Sequence, residues 1–306
     1  MAATTTIVYL HGMGGGHLEA SPNGRKAWFS VRSLLRGSVA DGLRGALNPA
    51  GHIKMFHRPA AIYWRSRGFN VLEFSYDWRL SFDEAAARLR DAVAAVPAGQ
   101  RVLIAAHSMG GCVACRFSTL YPVEARRVEH AYFFGVPILG TFSAVEVLLC
   151  QFFLPRLVAR ASIFRGRKQV LADLGNACAA MPGLADLMPD PARYASASIL
   201  FDRRNWPPHC APEQQVLDRA LALKREMPAS PILDRTTVLA SEAYATPAGV
   251  KLVDGQVQLS AETAPGDGVT LFSSAVPLPA MRIRRLRFPH GVLLFEPSGL
   301  RAVTAS

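Results

Sequence analysis

The chain has 306 residues, half of them hydrophobic and 19% charged, and it carries a formal net charge of +11. A chain of this length and hydrophobicity can bury a large core, which excludes an intrinsically disordered protein. It is long enough for one large domain or for a domain with an insertion.

The sequence predicts neither a leader peptide nor a membrane span. Its first residues, "MAATTTIVYLHG", lack a basic stretch followed by an apolar run and a cleavage site. The longest apolar stretches are interrupted by Gly, Pro or charged residues, so none is typical of a transmembrane segment. We therefore expect a cytoplasmic protein.

The five cysteines fit the same compartment, because their number is odd and their spacing irregular. Cys112 and Cys115 form a CxxC pattern, but it lies inside a predicted helix, without the strand and loop of a redox motif. We interpret both as packed small apolar side chains.

Basic residues cluster in "LPRLVARASIFRGRK" (154–168) and "MRIRRLRF" (281–288). A basic face could contact anionic lipid or an acidic carrier protein, and a solvated surface explains the clusters equally well. No helix-turn-helix, zinc-finger or RNA-binding signature is present, so we do not expect nucleic acid as a partner.

Four strand-like segments lie before residue 141: "TTIVYL" (5–10), "NVLEFSY" (70–76), "RVLIAA" (101–106) and "EHAYFFGVP" (129–137). A long irregular segment, reaching to about residue 60, separates the first two. Between the second and third, Ser81 and Glu84 form a capping box at the start of an alanine-rich helix. A further helix is predicted from Ser108 to about Tyr121.

Strands that alternate with helices predict an α/β protein, with a mostly parallel central sheet and helices on its faces. In such sheets the ligand site lies beyond the carboxyl ends of the strands. His11, Asp77, Ser108 and Gly135 each follow a strand end. We therefore expect them along one edge of the sheet.

The pattern changes between residues 142 and 231. "FSAVEVLLCQFFLPRLVARASIF" is apolar almost all round and broken by Pro155, and "PEQQVLDRALALKREM" (212–227) predicts another helix. Strand patterns return at 235–246, 251–260 and 281–288. The sequence therefore predicts two parts of one core, 1–141 and 232–306, and a helical lid inserted at 142–231.

The segment "LIAAHSMGGCVACRF" (103–117) ends a strand at Ser108 and enters a helix at once. A sharp strand-to-helix turn with a serine at its tip is typical of an activated nucleophile. A serine needs a base, usually a histidine oriented by a carboxylate. Only His209 and His290 follow well after Ser108, and His290 is the candidate because it follows a predicted strand.

The carboxylate is expected between the nucleophile and the base. Asp267 is the first candidate because two glycines flank it, which allows the tight turn that aims a carboxylate at an imidazole. Glu242 is the second. Asp254 is better explained by an Asp-Gly hairpin turn.

An oxyanion intermediate needs two N–H donors. One is expected from Met109, directly after the nucleophile, and one from Met13, in the glycine-rich loop "HGMGGG" (11–16) after the first strand. Gly12 allows the backbone turn there. For substrate contacts the candidates are His11, Gly12, His107, Asp77 and Trp78, although an Asp77–Arg79 pair that holds a loop explains Asp77 better.

Three motifs resemble the lecithin:cholesterol acyltransferase group of the α/β-hydrolase superfamily. They are "SYDWR" (75–79), "GVPILGTFSA" (135–144) and "PGDGVTLFSSA" (265–275), the last with Val269 and Thr270 in swapped order. The resemblance implies an α/β-hydrolase fold and the triad Ser108, Asp267 and His290. It also implies an acyl-serine intermediate on an ester-type lipid and no metal or organic cofactor.

Three functions remain open from the sequence. The first is a carboxylic ester hydrolase for a lipid-like or bulky apolar substrate. The second is an acyltransferase or cyclising thioesterase that takes an acyl chain from an acidic carrier protein. The third is a non-catalytic binding protein on a hydrolase scaffold.

Overall fold

The computed structural model describes residues 4–20, 25–28, 31–152, 156–157, 159–160 and 165–305. Its central sheet has six parallel strands: β1 (Thr5–Leu10), β5 (Asn70–Phe74), β6 (Arg101–His107), β7 (Val128–Phe134), β8 (Thr236–Ser241) and β13 (Arg282–Leu286). They are ordered β13-β8-β7-β6-β1-β5. The predicted α/β class with a mostly parallel sheet is confirmed.

The strand order creates a crevice beyond the carboxyl ends of the neighbouring strands β1 and β6. β1 lies between β5 and β6, so the chain runs from β1 to one side and returns to the other. Such a reversal opens a crevice beyond the carboxyl ends of the two central strands. His11 and Gly12 follow β1, and Ser108 follows β6. The topology therefore brings the glycine-rich loop and the serine together.

The sheet is buried on both faces, as its nearly continuous apolar strands require. On one face, Val8 and Leu10 of β1 share a core with the helices α4 (Phe82–Ala94) and α5 (Met109–Leu120). On the other, Ile7 and Tyr9 pack with the helices α3 (Lys54–Ser66) and α12 (Pro297–Thr304). The predicted capping box is present at the start of α4.

The region up to residue 60 is more regular than predicted. It contains a small antiparallel sheet of β2 (Gly16–Ala20), β3 (Arg25–Lys26) and β4 (Leu47–His52), the short helices α1 (Val31–Arg36) and α2 (Val39–Gly42), and the start of α3. β3 has only two residues, and β4 contains Pro49 and Gly51 and lacks an alternating apolar and polar pattern. α3 contains Pro59 and begins without a side-chain cap, so its usual signals are missing.

Two further helices are short. α6 (Pro122–Ala125) directly follows α5, and α11 (Phe272–Ala275) follows the loop that contains Asp267. Between them, the described part of 142–231 contains the helices α7 (Phe142–Leu148), α8 (Arg167–Ala179), α9 (Pro182–Asp186) and α10 (Gln214–Glu226). Short 3₁₀ segments occupy Ala195–Phe201, Arg203–Asn205, Pro208–Cys210, Met227–Ala229 and Pro231–Arg235. The predicted break at Pro155 and the stretch 161–164 lie outside the described residues.

The segment predicted as one strand over 235–246 is two strands, β8 and β9 (Tyr244–Pro247), and β9 pairs antiparallel with β12 (Thr263–Gly266). The predicted hairpin is present as β10 (Val250–Val253) and β11 (Gln256–Leu259). Asp254 and Gly255 form its turn with positive φ angles of 49° and 74°. A final 3₁₀ segment, His290–Phe295, follows β13.

Candidate active site

Ser108 lies at a strained turn between β6 and α5. Its φ angle is +52° and its ψ angle −128°, a conformation that costs a non-glycine residue free energy. The Ser108 N–H donates to Phe134 O at 2.9 Å, which ties the turn to the end of β7. This geometry projects the side chain away from the sheet, as a nucleophile requires.

Only a glycine fits at position 12, opposite the serine. A Cβ on Gly12 would lie 2.8 Å from the Ser108 Cβ, which is closer than side chains tolerate. The glycine-rich loop therefore passes directly over the serine. Ala106, in the place where related turns more often carry glycine, is fully buried within β6.

His290 lies between Ser108 and Asp267. Its Nε2 is 2.9 Å from Ser108 Oγ, and its Nδ1 is 2.8 Å from Asp267 Oδ2. Since a carboxylate accepts, Nδ1–H donates to Asp267 and leaves Nε2 free to accept the serine proton. The structure thus brings together the three side chains selected from the sequence.

The Asp267 carboxylate is almost fully buried, with 2% of the residue exposed. Its Oδ1 accepts hydrogen bonds from Val269 N at 3.0 Å and from Thr270 N at 2.6 Å. Asp267 O accepts from His290 N at 2.9 Å, so the two loops are also joined through their backbones. These bonds leave Oδ2 directed at the imidazole.

His11 fixes the orientation of the peptide between Gly12 and Met13. Gly12 O accepts from His11 Nδ1 at 2.8 Å and from Gly15 N at 3.0 Å. In a trans peptide the N–H points opposite to the C=O. Because two hydrogen bonds hold Gly12 O, they fix the direction of the Met13 N–H as well.

His11 belongs with the buried His52 and His57 and the half-buried His107 to a group that we call the histidine cluster. The rings of His52 and His57 lie 5.0 Å apart, and His11 stacks on Tyr76 at 4.4 Å. Burial lowers the pKa of His11 to about 3, and it lowers the pKa values of His52 and His57 as well. The cluster is therefore neutral at pH 7.

His107 connects the cluster to His290. Its Nε2 donates to His290 O at 3.1 Å, and the two rings lie 4.8 Å apart. Burial lowers the pKa of His107 to about 3. A neutral donor at this position holds the His290 backbone without adding a second positive charge beside the imidazole.

A cavity of about 490 Å³ extends from Ser108 under the helices of 142–231. Apolar and aromatic side chains form most of its wall, among them Trp28, Leu43, Phe56, Trp78, Val147, Phe152, Leu157, Leu174, Cys178, Met181 and Leu184. Polar groups lie at the serine end, where Ser108, His107 and His290 meet the glycine-rich loop. Such a cavity can hold an apolar group with its reactive end at the serine.

The predicted substrate contacts fall into two groups. Gly12, His107 and Trp78 line the cavity, as does Met13. His11 and Asp77 are buried beneath it instead: His11 stacks on Tyr76, and Asp77 forms a 2.5 Å ion pair with Arg79. Arg79 also donates to Leu43 O, so this pair holds a loop.

The other candidates considered for acid and base lie on the surface. Glu242 is exposed and pairs with Arg285, and His209 is exposed on a 3₁₀ segment. Sequence reasoning missed Phe56 and His57 because they belong to α3, which was expected to be irregular. It also missed the close approach of Gly135 to Asp267 and His290, for which the only signal was its place at a strand end.

Within the described ranges, no three His, Cys, Asp or Glu side chains are grouped so that they could hold a metal ion. All five cysteines are buried and free, and burial raises the pKa of Cys112 to about 12. In the part of the chain that the structure describes, no helix is both long enough and apolar enough to cross a membrane.

Residues 63–154, less than a third of the chain, match the lecithin:cholesterol acyltransferase family. The match includes Ser108 and the "SYDWR" and "GVPILGTFSA" motifs, and it confirms the resemblance drawn from them. No curated protein matches the chain.

Among solved structures, the chain is similar to one in the Tle4–Tli4 complex, with a TM-score of 0.73 at 11% identity over 99% of this chain and 98% of that chain. It is also similar to the lipase BlEst2 of Bacillus licheniformis, with a TM-score of 0.48 at 13% identity over 96% and 88%. The esterase RhEst1 of Rhodococcus sp. ECU1013 matches with a TM-score of 0.42 at 14% identity over 99% and 90%.

The parallel sheet, its strand order and the similarity to the Tle4–Tli4 structure identify the fold as that of the α/β hydrolases. Together with the family match, the fold supports an ester hydrolase or acyltransferase for lipid substrates in general.

Proposed function

We propose that the protein is a serine carboxylic ester hydrolase that acts through an acyl-serine intermediate. The observation that carries the proposal is the chain of contacts from Ser108 Oγ through His290 to Asp267, with separations of 2.9 Å and 2.8 Å. A serine within hydrogen-bond distance of a histidine that is itself oriented by a carboxylate is an activated nucleophile.

In the first step Ser108 Oγ attacks the ester carbonyl carbon and its proton passes to His290 Nε2. The carbonyl oxygen becomes an oxyanion, which the N–H groups of Met13 and Met109 stabilise. The C–O bond of the ester then breaks, and the leaving alcohol takes the proton from His290. Asp267 stabilises the imidazolium in between. Acyl-Ser108 remains.

In the second step water attacks the acyl carbon while His290 Nε2 accepts its proton. The bond to Ser108 Oγ breaks, and that oxygen takes the proton back. The products are a carboxylic acid and the original enzyme. An alcohol or amine in place of water would give acyl transfer by the same steps.

The substrate class in the proposal is an ester with a lipid-like or bulky apolar acyl group. The apolar wall of the 490 Å³ cavity supports it, because each buried methylene contributes about 0.8 kcal/mol to binding. The specificity constant kcat/KM is therefore expected to rise about fourfold per added methylene until the cavity is full.

A transferase that takes its acyl group from an acidic carrier protein is the second candidate, and the net charge of +11 favours it. Salt-sensitive transfer from a carrier, with weak action on simple esters, would replace the hydrolase proposal by this one. The Tle4 chain was solved together with Tli4, and on that likeness a protein partner is also part of the proposal.

The test is hydrolysis of p-nitrophenyl esters with acyl chains from two to sixteen carbons. We expect Ser108→Ala to lose at least about 1,000-fold in kcat and to lose labelling by a fluorophosphonate. Ser198→Ala, which removes an exposed hydroxyl, is the matched control and should retain both. A parent protein that neither hydrolyses nor labels would support the binding-protein alternative instead.

A further inference from the structure

Two segments of the chain are basic and lack acidic residues. Residues 42–72 contain five Lys or Arg and no Asp or Glu, and residues 147–172 contain another five and again no acid. Acids at the borders of the segments pair with some of these cations, Glu73 with Arg65, and Asp41 and Asp173 with Arg165. The other cations are available for contact with an anionic partner.

The first segment includes α3, whose outer face is both cationic and apolar. Met55 is 64% exposed and Ile62 51% exposed, and Lys54 and Arg58 on the same helix are exposed too. Among the described residues, neither Lys54 nor Arg58 has a carboxylate within ion-pair distance. The inner face of the helix packs on the sheet through residues such as Trp64.

The second segment lies across the mouth of the cavity from α3. Leu157 is 54% exposed and also lines the cavity, and Arg156 and Arg160 beside it are exposed. On the α3 side, Phe56 is 38% exposed and lines the same cavity. Phe56 and Leu157 therefore mark its rim, and cations flank each of them.

We infer that this rim, formed by the outer face of α3 and by residues 156–157 and 159–160, docks onto an anionic lipid surface. Exposed apolar side chains flanked by cations fit an interface in which the apolar groups enter the acyl region and the cations meet the headgroups. Docking there would place the cavity mouth against the lipid. The inference rests on the proposed function and names the physical form in which the substrate reaches the serine.

An acidic carrier protein would be attracted by the same charges, but it would offer no place for Met55, Ile62 and Leu157 to be buried. Exposure of Met55 and Ile62 on α3, together with that of Leu157 at the cavity rim, favours the lipid surface. The carrier is therefore one outcome of the test below.

The test is co-sedimentation with vesicles of phosphatidylglycerol and, separately, of phosphatidylcholine, using the full chain with Ser108→Ala so that no lipid is consumed. We expect binding to the anionic vesicles only, weakened by salt. Lys54→Glu/Arg58→Glu should reduce binding by about 20-fold or more, and Met55→Ser/Ile62→Ser should reduce it as well. The matched controls Lys251→Glu/Arg282→Glu and Val123→Ser/Leu252→Ser, on other exposed sites, should bind as the parent does.

Equal binding of the α3 variants and their controls would overturn the inference, and so would binding to an acidic carrier protein but not to vesicles. Hydrolysis of a short water-soluble ester separates the two proposals. For this assay the α3 variants are made in the chain that keeps Ser108. That activity should equal the parent's, whereas a failure of the hydrolase proposal would leave the parent itself inactive.

Discussion

The Cα of Gly135 faces the Asp267 carboxylate so closely that a Cβ on Gly135 would lie 2.7 Å from Asp267 Oδ2 and 3.0 Å from His290 Nδ1. Gly135 follows β7 and has a φ angle of +58°. Its missing side chain therefore provides the space in which the Asp267 carboxylate and the His290 imidazole meet.

We predict that Gly135→Ala lowers kcat by about 100-fold, because the methyl group must displace the Asp267–His290 pair by a fraction of an ångström or more. Gly99→Ala is the matched control: Gly99 has a φ angle of +84°, but no atom lies within 4 Å of its Cβ position. Both variants lose about 1 kcal/mol of stability from the strained backbone. Equal kcat values for the two would contradict the role given to Gly135.

Replacement of the acid is expected to separate the two carboxylates considered from the sequence. Asp267→Asn should lower kcat by roughly 1,000-fold or more, since the amide no longer stabilises the imidazolium and reverses the preferred tautomer. Glu242→Gln, at the exposed partner of Arg285, should leave kcat unchanged. Steady-state hydrolysis of a short p-nitrophenyl ester measures both, and a large loss in Glu242→Gln alone would exchange their assignments.

His11 is predicted to act on the reaction through the Gly12 carbonyl, as a positioning residue. His11→Leu removes the donor to Gly12 O, so the Met13 N–H loses its fixed direction and kcat should fall roughly 10- to 100-fold at nearly constant KM. His11→Asn offers a donor near the position of Nδ1 and should recover part of the loss. Equal damage in both variants would assign His11 to packing alone.

The histidine cluster predicts acid lability. The folded state holds the pKa of His11 and of His107 at about 3, whereas an unfolded histidine titrates near 6.5. Below pH 6.5 the unfolded chain therefore binds protons that the folded chain does not. The free energy of unfolding therefore decreases as the pH is lowered. These two residues should lower the free energy of unfolding by about 4 kcal/mol between pH 7.5 and pH 5.

Urea unfolding at the two pH values measures this effect. His11→Leu should reduce the pH-dependent loss by about 2 kcal/mol, whereas His209→Gln, at an exposed site, should leave it unchanged. A parent protein whose stability is the same at pH 7.5 and pH 5 would show that the cluster is not held neutral by burial.

The residues of the candidate site could be selected from the sequence because their signals are local. Ser108 lies in a strand-to-helix turn, two glycines flank Asp267, and His290 follows a strand in the chain order typical of these folds. The cavity could not be derived in the same way. Phe56 and His57 lie on a helix without a cap, and Gly16 pairs with His52 across more than thirty residues. Contacts of that kind depend on the completed fold.

The order of the elements along the chain bears on how activity appears during synthesis. Ser108 and the glycine-rich loop lie within the first 108 residues, but the His290 imidazole follows β13, some 180 residues later. A nascent chain that has built β1, β6, α5 and β7 carries the serine turn without His290. Under the proposed mechanism its serine is therefore unreactive on the ribosome, and reactivity is expected only when β13 joins the sheet beside β8.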